Sequence, residues 1–177
     1  MISSLKKVNI IVERAEILLI ITIMLGLTLI LSSQVVLRYL FNSPIFWAEE
    51  VASQLLISLS FIGISILISK KDLVRVDIII QNIPKHFKKL FLILLDLIAL
   101  ITIIIICYFS TKWISRAEVR MELSPTTGLP QWYNYIVLVT ATYLMLWHQA
   151  YNLLLALVSL KANKKLYDIT HSKNKED

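Results

Sequence analysis

The chain has 177 residues, 57% of them apolar, with a formal net charge of +6, three glycines and one cysteine. A mean hydropathy of +0.72 excludes an ordinary water-soluble domain,. The lone Cys107 excludes an intrachain disulfide and Cys-x-x-Cys chemistry,.

Residues 1–16 place Leu5, Val8, Val12 and Ala15 at helical spacing beside Lys6, Lys7, Glu13 and Arg14. This predicts a short amphipathic helix in the cytoplasmic interface, with a disordered leader as the alternative. The apolar run that follows is too long for a signal peptide and lacks a small-x-small cleavage site, so it is expected to stay attached. Residues 17–37 carry no charge, nor do 51–69, and 90–111 are interrupted only by Asp96. Each run is long enough to cross a hydrocarbon core of about 30 Å at the helical rise. Pro125, Gly128 and Pro130 mark a loop, after which 132–159 contain no Asp, Glu, Lys or Arg. A β-barrel is excluded because alternation is absent.

The expected fold is therefore an all-α integral membrane protein. Four transmembrane helices, at approximately 17–37, 50–69, 90–111 and 132–159, form one bundle within a single domain at 17–160. Residues 161–177 are polar and are expected to form a mobile cytoplasmic tail.

The cations sort by side. Fourteen of the eighteen lie before the first span (Lys6, Lys7, Arg14), between spans two and three (Lys70, Lys71, Arg75, Lys85, Lys88, Lys89) or in the tail (Lys161, Lys164, Lys165, Lys173, Lys175). Only Arg38, Lys112, Arg116 and Arg120 remain for the other side. The positive-inside rule then predicts that both termini are cytoplasmic. This distribution fits phospholipid contact and argues against a nucleic-acid partner.

Reactive chemistry is sparse. There is no phosphate-binding glycine loop, and of His86, His148 and His171 only His148 lies in a span, which excludes bis-histidine haem from this chain,. No catalytic, cofactor-binding or metal-binding residue is expected, and the chain does not read as an enzyme. Asp96 and His148 are the intramembrane polar residues. They are read either as a pair forming a proton or cation site, or as an interfacial aspartate and a histidine hydrogen-bonded within the bundle.

The first outer loop is more specific. Ser43 is placed to cap a helix that begins at Pro44, with Trp47 as an interfacial anchor and Glu49 and Glu50 in the opening turns. One of the two glutamates is expected to serve the helix terminus. The other is expected to face Arg38 or a partner's cation.

Arg38-Tyr39-x-Phe41-Asn42-x-Pro44-x-x-Trp47-x-Glu49-Glu50 is followed by Phe61-x-Gly63, Lys70-Lys71, Val74-Arg75-Val76-Asp77 and Gly128-Leu129-Pro130-x-Trp132. Together these segments resemble the small membrane subunit of TRAP transporters, the tripartite ATP-independent periplasmic importers. Leu73 departs from the histidine common in that family, and an early proline-glycine pair is absent from the last helix. The resemblance implies three partners at work. A periplasmic binding protein captures an organic acid such as sialic acid or a C4-dicarboxylate, and a large membrane subunit carries it with sodium by an elevator motion. The small subunit braces that subunit's stationary scaffold. It also implies that Arg38, Tyr39, Phe41, Asn42, Pro44, Trp47, Glu49, Glu50, Gly63, Arg75, Asp77, Pro130 and Trp132 are structural or partner-contact residues.

On helix two, Ala52, Ser53, Ser60, Gly63 and Ser65 are candidates for close helix approach. A different class of function, a self-sufficient oligomeric exporter, would need a coupling carboxylate, and Asp96 is the candidate.

Overall fold

The computed structural model describes residues 2–71 and 85–173, with side chains described within 4–71 and 90–159. Arg75 and Asp77 lie outside the described residues. Among the described residues five helices are formed: α1 (Ile2–Leu40), α2 (Ala48–Lys70), α3 (Lys85–Ile114), the short α4 (Ala117–Met121) and α5 (Trp132–Lys173). Among the described residues the fold is all-helical, apart from an isolated bridge between Leu123 and Pro130. Among the described residues three segments are long and apolar enough to cross a membrane: Ser4–Leu40, Ala48–Lys70 and Leu90–Ile114.

The helices do not close into the expected bundle. The principal packings join α1 to α2, α2 to α5 and α5 to α3, while α1 meets α5 only narrowly. The result is an open row, α1–α2–α5–α3. In lipid, apolar surface gains little by leaving the solvent, so nothing compels the row to curl up.

Two helices are longer than expected. At the helical rise, the 39 residues of α1 span about 58 Å and the 42 residues of α5 about 63 Å, well beyond a hydrocarbon core of about 30 Å,. The separate N-terminal interfacial helix is not seen, because 2–16 continue unbroken into the first span. Within this segment the side that packs on the other helices is a polar one. Val8 and Ala15 are exposed, whereas Asn9 and Glu16 are buried. Clustered polar groups have more to gain from burial near lipid than apolar ones do. The tail at 161–177, expected to be mobile, is helical as far as Lys173.

The α1–α2 connection is set by backbone chemistry. Asn42 takes φ 54, and the amides of Phe41 and Ser43 both bond to Leu37 O, at 3.3 and 3.1 Å. Asparagine tolerates this left-handed geometry, which closes a helix C-terminus, and the proline after it cannot extend the helix. Pro44 thus ends α1 rather than opening α2. The N-cap of α2 is Trp47, without a side-chain cap bond, so Ser43 does not cap this helix.

Helix α2 buries Ala48, Ala52, Ile62, Ser65 and Ile68 between its two neighbours. Ser53 and Ser60 are exposed, and a Cβ added at Gly63 would meet no atom within 4 Å. The described residues place no tight helix contact at Gly63.

Candidate functional site

Two polar clusters hold the row together, one toward each end. The first gathers Asn9, Glu13 and Glu16 of α1, Ser65 and Ser69 of α2, and His148 of α5. His148 Nε2 lies 3.1 Å from Glu16 Oε2, and Nδ1 lies 2.8 Å from Asn9 Oδ1. Ser65 donates to Glu16 Oε1 at 2.6 Å, Asn9 Nδ2 to Ser69 Oγ at 3.4 Å, and Ser69 to Glu13 Oε2 at 3.1 Å. His148 and Ser65 are fully buried, and Glu16 is 4% exposed. Next to the cluster, Asn152 Nδ2 donates to Ile68 O at 2.7 Å and Gln149 Nε2 to Asp96 O at 2.9 Å. The cluster joins α1, α2 and α5, and Gln149 adds α3, where polar groups cannot turn to water,.

Of the two readings of Asp96 and His148, the pair is not found, and His148 is hydrogen-bonded between helices. Asp96 is engaged through its backbone carbonyl, and its side chain lines a cavity of about 140 Å³ with Lys71, Gln149 and Asn152. Helix register explains the difference. His148 faces α1 and α2, whereas Gln149, rotated by one residue, faces α3.

Glu16 is the residue that sequence reasoning missed, because a charge at the edge of an apolar run reads as a boundary. A signal was present: Asn9, Glu13 and Glu16 recur at i, i+4 and i+7 on one face, while Lys6, Lys7, Ile10 and Arg14 are exposed on others,.

The second cluster divides the two glutamates. Glu49 Oε1 accepts from Gln34 Nε2 at 3.1 Å and lies 3.8 Å from Arg38 Nη1, tying α2 to the end of α1. The Arg38 guanidinium also sits 6.0 Å from the Tyr39 ring. Glu50 turns the opposite way. Its carboxylate accepts from the hydroxyls of Ser124 and Thr126 and, at 3.2 Å, from the Thr126 amide. The turn it grips is internally braced, with Ser124 N–H bonded to Leu129 O at 2.8 Å and Gly128 N–H to Ser124 O at 3.0 Å. Gly128 takes φ 68 there, a conformation glycine adopts without a Cβ penalty,.

The remaining sequence-predicted residues surround this second cluster. Pro130 takes part in the bridge to Leu123, and Trp132 opens α5 beside Tyr133, their ring centroids 4.0 Å apart. Trp47 is 45% exposed, and Phe41 and Phe46 stand out from the same loop. Trp113 packs edge-on against Tyr135 at 4.5 Å, and the Tyr135 hydroxyl reaches Gln131 at 2.6 Å.

Between the two clusters α1 and α5 diverge, leaving an apolar cleft of about 460 Å³ bounded by Ile11, Ala15, Leu19, Ile62, Ile136 and Leu144.

A family model described as "Tripartite ATP-independent periplasmic transporters, DctQ component" matches residues 27–158. The chain is 29% identical over 132 residues to a putative TRAP transporter small permease protein of Haemophilus influenzae, covering 73% of this chain and 80% of that protein. It is 23% identical over 166 residues to the sialic acid TRAP transporter small permease protein SiaQ of Vibrio cholerae, covering 93% and 95%. A third relative, the sialic acid TRAP transporter permease protein SiaT of Haemophilus influenzae, is 25% identical over 101 residues. That match takes in 57% of this chain and 16% of SiaT, so the chain spans a small part of that longer protein.

Proposed function

Because this chain belongs to the DctQ-component family of tripartite ATP-independent periplasmic transporters, we propose that it is the non-catalytic small subunit that braces the large membrane subunit during uptake. It is a multi-pass membrane protein of the bacterial inner membrane, and in this proposal it crosses four times with both termini in the cytoplasm. The large subunit carries an organic acid with sodium, and a periplasmic binding protein delivers it. The names of SiaT and SiaQ make sialic acid the first substrate to try.

One observation supports a bracing role over a transporting one. Among the described residues, no buried side-chain nitrogen or oxygen lacks a hydrogen-bond partner. The buried polar side chains described are spent on joining helices. What the row offers outward is apolar, with Leu18, Leu25 and Leu29 of α1 and Leu94, Ile98 and Ile105 of α3 exposed. Such faces suit lipid and a large helical partner. Arg38, Tyr39, Phe41, Asn42, Pro44, Trp47, Glu49, Glu50, Pro130 and Trp132 build the outer end of this brace, with Trp47 and Trp113 helping to set its depth in the bilayer.

The test is reconstitution in liposomes under a sodium gradient. Uptake of a sialic or dicarboxylic acid is expected when this chain, the large subunit and the binding protein are all present, and none is expected from this chain alone. Solute accumulation by the isolated chain would overturn the proposal and revive the exporter reading centred on Asp96.

A further inference from the structure

His148 is fully enclosed, and both of its ring nitrogens face oxygen atoms of α1. A neutral imidazole carries a single N–H and cannot donate to both. The surrounding bonds assign the protons. The Glu13 carboxylate accepts the Ser69 hydroxyl proton at 3.1 Å, so Ser69 Oγ is free to accept from the Asn9 amide nitrogen at 3.4 Å. With the Asn9 nitrogen so committed, its oxygen is the atom turned to His148, and Nδ1 must be the donor across 2.8 Å,. On the other side of the ring, Glu16 Oε1 already accepts from Ser65, and Oε2 stands 3.1 Å from Nε2. Two lone pairs at that distance repel unless a proton lies between them.

We propose that Glu16 and His148 form a proton-binding site, holding one proton more than an ionised carboxylate and a neutral imidazole carry together. The proton resides on Nε2, giving an imidazolium–carboxylate pair, or on Oε2, giving a carboxylic acid that donates to the ring. Both forms have the same proton count and no net charge. Releasing the proton leaves one negative charge in a site closed to water, which is costly without a compensating cation. No described residue supplies one: His148 is the only ion-pair partner of Glu16. The other titratable groups described toward this end of the packed elements are Lys6, Lys7, Glu13 and Arg14 on α1, Lys70 and Lys71 at the end of α2, and Asp96 on α3, of which Lys6, Lys7 and Lys70 are exposed. Arg14 is exposed, and Lys71 and Asp96 line the separate cavity beyond Gln149. This site is the main link between α1 and α5, which touch at little else, while α1 also packs along α2. Asn9, Glu13 and Glu16 all precede residues 27–158, so this half of the site lies outside the family match.

The experiment is nitrogen-15 NMR on the full chain in lipid nanodiscs, with His86→Gln and His171→Gln leaving His148 as the one labelled histidine. Infrared spectra with carbon-13-labelled glutamate accompany it. The expected result is a protonated Nδ1 together with a second proton, seen either on Nε2 or as a glutamic acid carbonyl band that Glu16→Gln removes. A ring with one N–H and no such carbonyl band overturns the proposal. Since this count is made with Glu16 and His148 intact, it does not depend on whether Glu16→Gln folds.

Discussion

Single side chains, more than helix propensities, decide how this protein is joined. Glu49 and Glu50 are adjacent in sequence and a third of a helical turn apart in direction, so one reaches Arg38 and Gln34 and the other reaches the 124–127 turn,. Their substitutions should differ accordingly. The Arg38–Glu49 pair is exposed and long at 3.8 Å, so Glu49→Ala is expected to cost only ~0–1 kcal/mol by thermal unfolding in detergent,. Glu50→Ala removes the side chain that grips Thr126, and hydrogen exchange at the Thr126 amide is expected to accelerate several-fold while exchange in the body of α5 is unchanged,. An unaltered Thr126 amide would mean that the turn holds itself. At the other cluster, Glu16→Ala orphans both Ser65 and His148. A loss of about 2 kcal/mol is expected, between the cost of unsatisfied buried groups in soluble proteins and the smaller averages measured in membranes. Glu16→Gln keeps both partners bonded and should lose less than half as much in the same unfolding assay.

At the level of elements, the helix ends show how far local chemistry reaches. Ser43 and Pro44 read in the sequence as the cap and first residue of a helix, yet this segment belongs to the end of α1 and not to the start of α2. Ser-Pro is an acceptable helix opening, but the left-handed turn at Asn42 carries the chain through 43–47 before α2 can begin. Asn42→Gly should preserve stability, since glycine adopts this φ freely, whereas Asn42→Val should cost about 1–2 kcal/mol in the thermal midpoint assay. Equal behaviour of the two variants would show that the backbone at 42 carries no constraint. The extension of α1 back to Ile2 was hidden for another reason. Apolar and polar residues share the 2–16 segment at similar spacing, and periodicity alone does not say which stripe faces protein when lipid is available to the other.

For the molecule as a whole, orientation is the claim most open to direct test. With Cys107→Ser as background, Glu118→Cys in α4 is expected to react with a membrane-impermeant maleimide from the periplasmic side, and Lys173→Cys only after the membrane is opened. The reverse pattern would invert the proposed topology. The open row also makes a statement about stability. Few side chains of α1 and α3 are buried within the chain, so the isolated subunit should unfold at a distinctly lower temperature than the same subunit held by its large partner, as ligand or partner binding to the native state requires,.

Membrane residence, the helical class and the presence of a loop between the first two spans were legible in the sequence, because lipid imposes length rules that act on contiguous residues. The helix order in the row, the parting of Glu49 from Glu50 and the meeting of Glu16 with His148 were decided only in three dimensions. Contacts between residues as far apart as 16 and 148 depend on which faces of α1, α2 and α5 turn toward one another, and a nearly uniform apolar run does not encode that rotation. A few buried polar side chains choose it, by finding in each other the partners that hydrocarbon cannot provide.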